Sequence, residues 1–360
     1  MLERWNGPVS AAIYSQDVAH DIKELTDLLD RVDFHIVGAS QGLYPVNTLR
    51  NVAMNNARTD YMILADVDFV PAEKGYEWIT TNLPKLRQAA GDKAVFVLPA
   101  FEIDGQDQTV PLNKDALKEM GKKIHQVHND GGRTIAHKYT QYEKWMTAAE
   151  AYPITYKFPF EPYFLAPKTI PRYDVRFFGY GNDKASHGYE INAAGFSWWV
   201  LPEHYVVHVR HAQGTWVQQT FLDPKERLSK TLMNFLKDVD RRYKKRATKN
   251  EDKTFPELPE SAGYEVVVTQ AGQSCAKACQ NHGKVCMKQW ADRINMCSQL
   301  SKAFDGCVEG CGDGFFGADL PAYNIQQKQC LINNAPDAAP FNCEVTYEFS
   351  RRLCTCGKKL

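Results

Sequence analysis

The chain has 360 residues, enough for one large domain and a smaller one. Lysine plus arginine equals aspartate plus glutamate, 43 against 43, so no overall field favours nucleic acid or an anionic membrane. No apolar run approaches bilayer-spanning length and residues 1–8 do not read as a signal peptide, so no membrane anchor is expected within this chain.

In chain order, "VSAAIYS" (Val9 to Ser15) reads as a strand, and an amphipathic helix starts at Asp17 with Val18, Ile22, Leu25 and Leu28 on its apolar face. "DFHIVGAS" is a second strand ending at Gly38, Val46 to Arg58 a helix, and "YMILA" (Tyr61 to Ala65) a third strand. This alternation predicts a parallel α/β sheet, whose ligands bind at the carboxyl ends of its strands. Ala94 to Glu102 is a buried strand, and Asn113 to Lys123 and Tyr139 to Glu150 are helical. The Pro- and aromatic-rich residues 152–190 predict irregular backbone and edge strands outside the core layer. "SWWVLP" and "YVVHV" are short strands, and a charged helix from about Asp223 to Arg246 closes a first domain, 1–246. Residues 247–262 read as a linker, leaving 263–360 as a second module.

All ten cysteines lie between Cys275 and Cys356. An even number crowded into one module predicts disulfides and an oxidising compartment. Zinc is the competing reading, but no repeated Cys-x-x-Cys occurs and His282 is the only histidine there.

Asp66 and Asp68 follow the apolar third strand, "YMILADVDFVP". At i and i+2 of a strand both carboxylates project to one face, an unfavourable pairing unless a cation lies between them. Mn²⁺ or Mg²⁺ would bridge them to nucleotide phosphates. In "YVVHVRH", His208 is either a core histidine or a further ligand, which suits Mn²⁺ better than Mg²⁺, with His211 a second candidate. In "GYGNDKASHGYE", Asn182 or Asp183 caps a helix, and Asp183 or Glu190 is a candidate general base. Their structural alternatives are a plain cap for Asp183 and an ion pair with Lys184 or His187 for Glu190. Asn47, Arg50 and Asn51 open a helix and suit phosphate or a nucleobase, or else form a solvated face. Trp145, Tyr163, Phe178 and Tyr180 could stack on a sugar or fill a core.

The motifs "RWNGPVSAAIYS", "PVNTLRNVA", "DVDFVP", "LPAFE", "FEPYFL", "YDVRFFGYGNDKASH" and "VLPEHYVVHVRH" resemble, in order, those of glycosyltransferase family 49. That resemblance implies a GT-A fold, a UDP-sugar donor, Mn²⁺, inversion at the sugar, a glycan or glycoprotein acceptor, and a Golgi or secretory-pathway lumen. By position it makes Asp66, Asp68 and His208 the metal site. A working scheme built on it sets Asn47, Arg50, Asn51, Asp66 and Lys184 at the donor and Trp145, Glu161, Tyr163 and Tyr180 at the acceptor. Glucuronic acid is the implied sugar, its carboxylate met by Lys184 or Arg176. Asp183 departs from the family, whose animal members carry Asn there; it is still preferred to Glu190 as base because a helix start faces the ligand edge. "SCAKACQNHGKVC" and "CTCG" are faintly similar to the cysteine module of N-acetylglucosaminyltransferase V. Two other readings are a phosphohydrolase with Asp66 as nucleophile and a carbohydrate-binding protein that keeps the fold without turnover.

Overall fold

The computed structural model describes residues 4–25, 30–39, 44–104, 109–127, 135–179, 181–211, 225–243, 255–304, 307, 311–312, 317–326, 328–333, 336 and 339–358. The chain divides into two compact units, Met1–Val239 and Asp240–Leu360. The division falls inside the last helix of the first unit. Of the expected linker, the described part has no regular structure before a 3₁₀ turn at Glu260–Ala262.

In the first unit, β1 (Val9–Ser15) and β2 (Val32–Gly38) pair in parallel, joined through α1 (Val18–Leu25). Asp17 starts α1, its carboxylate accepting the His20 N–H at 3.1 Å. Helix α2 (Val46–Asn56) buries Asn47, Leu49 and Met54 and leads to β3 (Tyr61–Leu64). Then follow β4 (Phe69–Pro71), α3 (Gly75–Ala90), β5 (Ala94–Leu98), β6 (Ala100–Ile103), α4 (Lys114–Glu119) and β7 (Ile124–Gln126). Next come α5 (Ile135–Lys138), α6 (Tyr142–Thr147), β8 (Tyr152–Ile154), β9 (Tyr163–Pro167), α7 (Asp183–Ala193), β10 (Ser197–Val200), β11 (Val206–Val209) and α8 (Lys225–Arg242).

Two sheets order these strands as β3-β9-β5-β10-β8 and β4-β11-β6-β7. Three stretches of chain, β3/β4, β5/β6 and β10/β11, each pass from the first sheet into the second. Pro99 marks the β5/β6 crossing, where a ladder donor is missing. Among the described residues β3 does not extend the parallel β1/β2 pair, contrary to expectation. It pairs antiparallel with β9, which lies between β3 and β5. Strand β9 is buried along its whole length, so the Pro-rich stretch supplies a central strand. Its proline is tolerated because Pro167 is the terminal residue, opposite Tyr61.

Both faces of β5 are covered: Val95 and Val97 pack with Phe164, Trp198 and Val200, whereas Ala94, Phe96 and Leu98 pack with Phe69, Leu165 and Leu201. A strand buried on two faces reads as a continuous apolar run, as "AVFVL" does. Helix α3 carries Pro84 inside it and gives little sequence signal.

The second unit is held by five disulfides, Cys275–Cys354, Cys279–Cys356, Cys286–Cys343, Cys297–Cys311 and Cys307–Cys330, which use all ten cysteines. Strands β12 (Glu265–Val268), β13 (Val285–Cys286), β14 (Cys311–Gly312), β15 (Ala322–Asn324), β16 (Gln329–Leu331) and β17 (Ser350–Gly357) form its sheet, with β17 paired to β12, β13 and β15. Helix α9 (Cys275–Asn281) is capped by Ser274, which accepts the Lys277 N–H, and places two cysteines against β17; α10 (Cys297–Ala303) starts at a third. The cores of this unit are small, so the cross-links, at about 2–4 kcal/mol each, supply what burial does not. Among the described residues of the chain no helix is long and apolar enough to cross a membrane.

Candidate active site

Strand register builds the first half of the site. His208 on β11 stands opposite Phe69 on β4 and beside Glu102 on β6. Partners in register share a face, so Glu102 and the start of β4 meet His208 from either side. His208 Nδ1 donates to Glu102 Oε2 at 2.8 Å, and Arg210 donates to Glu102 Oε1 at 2.7 Å. With that ring nitrogen committed, Nε2 is turned toward Asp68 Oδ2, 3.5 Å away. His211 Nε2 approaches the same oxygen at 3.4 Å. One ligand atom from each of Asp68, His208 and His211 lies within 4.8 Å of the others.

Such a set fits a divalent cation. A neutral His208 that donates through Nδ1 presents a lone pair at Nε2, facing a carboxylate lone pair. Either a second ring proton or a cation has to lie between them. Asp68 Oδ1 is moreover buried without a hydrogen-bond partner among the described residues. Two imidazoles and one carboxylate suit Mn²⁺ better than Mg²⁺.

Asp66 takes no part in that cluster. Strand β3 ends at Leu64, and the Phe69 N–H closes a turn onto the Asp66 carbonyl at 3.1 Å. The two-residue alternation of a strand therefore does not reach 66 and 68, and their carboxylates find separate partners. Asp66 Oδ1 accepts from Arg50 at 2.9 Å; Oδ2 accepts from Tyr163 and Lys184, each at 2.8 Å. Arg50 also pairs with Asp183 at 2.5 Å. Two cations and two carboxylates thus form one chain, Lys184–Asp66–Arg50–Asp183. Burial alone would raise the Asp66 carboxyl, but Lys184 and Arg50 outweigh it and hold the group far below the ordinary range. Asp183 moves the same way: burial opposes ionisation, Arg50 and Lys184 overcome it.

Several residues predicted from the sequence serve this site indirectly. Asn47 donates to the Asp174 carbonyl at 2.9 Å and accepts from Arg50 at 3.2 Å, and Asn51 clamps the Tyr173 backbone through two 2.8 Å bonds. Both side chains tie α2 to the backbone at 173–174, and Asn47 also holds Arg50. Asn182 occupies the cap position of α7 without a side-chain cap bond, and Asp183 is the first helical residue. Glu190 is 4% exposed, two turns further along. The pairings expected of Glu190 do not form: Lys184 reaches Asp66, and His187 donates to the Pro171 carbonyl at 2.8 Å. Burial lowers His187 to about 3 and keeps it neutral.

Trp145 is fully buried, its indole donating to the Leu201 carbonyl at 2.8 Å, so it is a core residue and cannot stack on an acceptor. Tyr163 is 4% exposed and buttresses Asp66, a role that likewise leaves its ring inside. Arg176 is committed to Asp174 and Asp238. Tyr180 lies outside the described residues. Glu161 is half-buried just before β9; burial, then the Asp183 charge, pushes its carboxyl up to about 7 against the pull of Lys184 and Arg50. Glu102 and Arg210 are site residues that sequence reasoning misses, because only strand register links 102 to 208.

The chain is 32% identical to mouse "Xylosyl- and glucuronyltransferase LARGE2" over 260 residues, 69% of this chain and 38% of that protein. It is 33% identical to Dictyostelium discoideum "Glycosyltransferase-like protein gnt14" over 258 residues, 68% of this chain and 40% of that one. Mouse LARGE1, also named a xylosyl- and glucuronyltransferase, matches at 33% over 253 residues, 67% of this chain and 33% of the relative. The chain thus spans 33–40% of the length of these curated relatives. Among solved structures, GalNAc-T7 with UDP, GalNAc and Mn²⁺ aligns at 12% identity and a TM-score of 0.39, covering 74% of this chain and 55% of that one. Residues 35–244, more than half of the 360, match the family profile described as glycosyl-transferase for dystroglycan, and this chain belongs to that family, glycosyltransferase family 49.

Proposed function

We propose that the chain is a metal-dependent inverting transferase that moves a sugar from a UDP-sugar to a glycan or glycoprotein acceptor, with glucuronic acid the first donor to test. The carrying observation is the adjacency in sequence of two constellations: Asp68 with His208 and His211, and, two residues before Asp68, Asp66 with Arg50 and Lys184. Asp68, His208 and His211 would hold Mn²⁺, which when bound supplies Lewis-acid neutralisation of the diphosphate leaving group. Glu102 keeps the His208 ring turned so that Nε2 faces the donor side. Arg50 and Lys184 are the cations within reach of the donor, and Asp66 holds both in place. A uronate carboxylate would find its counter-charge in Lys184, and the relatives' names, which pair xylosyl with glucuronyl transfer, favour that donor. The five disulfides suit an oxidising compartment, and the family makes the Golgi lumen the expected one.

The test is thermal stabilisation by a panel of UDP-sugars, with Mn²⁺ and with EDTA. UDP-glucuronate is expected to give the largest shift, and only with Mn²⁺. No stabilisation by any UDP-sugar would defeat the reading.

A further inference from the structure

Resting on that transferase reading, we infer that Glu161, and neither Asp183 nor Glu190, is the base that takes the acceptor's proton. Asp183 is held by Arg50 at 2.5 Å, and a carboxylate so paired is a weak proton acceptor. Glu190 is enclosed on α7. Glu161 accepts no hydrogen bond from any described residue and is neither sealed in nor fully exposed.

Its position is fixed by backbone. The Glu161 N–H donates to the Ala136 carbonyl at 2.8 Å, tying the segment to α5. Helix α7 lies close against the preceding residue because position 188 is glycine: a Cβ there would meet the Phe160 carbonyl oxygen at 3.1 Å and the Tyr156 ring at 3.1 Å. Two residues beyond Glu161, the Tyr163 hydroxyl donates to Asp66 at 2.8 Å and accepts from Lys184 at 3.2 Å, which brings the same segment to the first turn of α7. The groups whose charge acts on Glu161 are Asp183 and Lys184 from α7, Arg50 from α2 and Asp66 from the β3–β4 turn, and Glu161 in turn acts on Tyr156 of its own segment. Desolvation with a like charge nearby keeps its proton affinity near neutral, which a general base at physiological pH requires.

In the transfer step the acceptor O–H bond breaks and its proton passes to a Glu161 oxygen. The oxygen's electron pair forms the new bond to the anomeric carbon. The bond from that carbon to the diphosphate oxygen breaks, and its electron pair leaves with UDP. Water in place of the acceptor gives donor hydrolysis by the same route, which makes the assignment testable without knowing the acceptor.

UDP release from UDP-glucuronate with Mn²⁺ would be followed against pH, and donor binding by thermal shift, for the full chain and for Glu161→Gln, Glu161→Asp and Asp183→Asn. Glu161→Gln is expected to keep the donor-induced shift and to release UDP about 10²–10⁴-fold more slowly. Glu161→Asp should recover part of the rate with the acid limb of the pH profile moved. Asp183→Asn should weaken donor binding through Arg50 and, with the like charge beside Glu161 gone, shift the acid limb to lower pH without abolishing it. The inference is overturned if Glu161→Gln turns over within threefold of the parent, or if Glu161→Gln keeps the acid limb and Asp183→Asn abolishes it. Loss of the donor-induced shift in Glu161→Gln would also overturn it, making Glu161 a donor-binding residue. A parent chain that neither binds nor hydrolyses any UDP-sugar would instead defeat the transferase reading, and the base assignment with it.

Discussion

His208 and Glu102 are locked together at 2.8 Å across neighbouring parallel strands, and this contact decides which nitrogen His208 presents to Asp68. A carboxylate on the far nitrogen fixes the tautomer and makes the near one a stronger ligand. Glu102→Gln keeps the shape and weakens that control. Affinity for Mn²⁺ is expected to fall about 10–100-fold, read by Mn²⁺ electron paramagnetic resonance on the purified chain. Unchanged Mn²⁺ affinity would mean that Glu102 only anchors Arg210.

Asp68 carries the negative charge in the three-residue cluster, so Asp68→Asn should abolish the Mn²⁺-dependent part of UDP-sugar stabilisation. Asp66→Asn should behave differently. It releases Lys184 and Arg50 from their shared partner and weakens donor binding, while the chain still takes up Mn²⁺ in the absence of nucleotide. Equal loss of Mn²⁺ binding in the two variants would put both aspartates on the ion, against the division of partners seen here.

The elements most legible in the sequence are those whose cause is local. The apolar run from Val95 to Leu98 announces β5, alternation announces β1, and crowding of ten cysteines after residue 274 announces a cross-linked module. What stays hidden depends on distant partners. Strand β9 sits amid prolines and becomes central because β3 and β5 flank it. Residue types alone mark Asp66 and Asp68 as a pair, yet a strand that stops at Leu64 sends them to different partners. The Glu102–His208 contact follows from register across 106 residues, and no local pattern carries it.

Trp145 illustrates the same point in a single side chain. Aromatic residues at a sugar site and in a core look alike in sequence, but this one touches Phe101 and Tyr205 and has no exposed surface. Trp145→Ala should cost about 3–5 kcal/mol of stability, measured by denaturant unfolding. A variant that folds as stably as the parent but loses acceptor affinity would restore the sugar-binding role.

Glu161 also makes a prediction about stability that needs neither donor nor metal. Its folded-state value of about 7 is above the roughly 4.3 of an unfolded glutamate. Between those values the folded chain holds a proton that the unfolded chain has released, so stability falls as pH rises through the window. The fall is bounded at about 1.4 kcal/mol per pH unit. Asp66 and Asp183 have depressed values, so their contribution is lost only as pH falls below the ordinary carboxylate range, outside this window. Glutamine at 161 carries no such proton. In EDTA, Glu161→Gln should melt close to the parent at pH 4.5 and above it at pH 8, by about 2–4 °C for each kcal/mol recovered. An equal difference at the two pH values would mean that the Glu161 carboxylate is not strained by its neighbours. A gain confined to high pH would mark it as a residue kept at some cost to the fold, as an active-site base is.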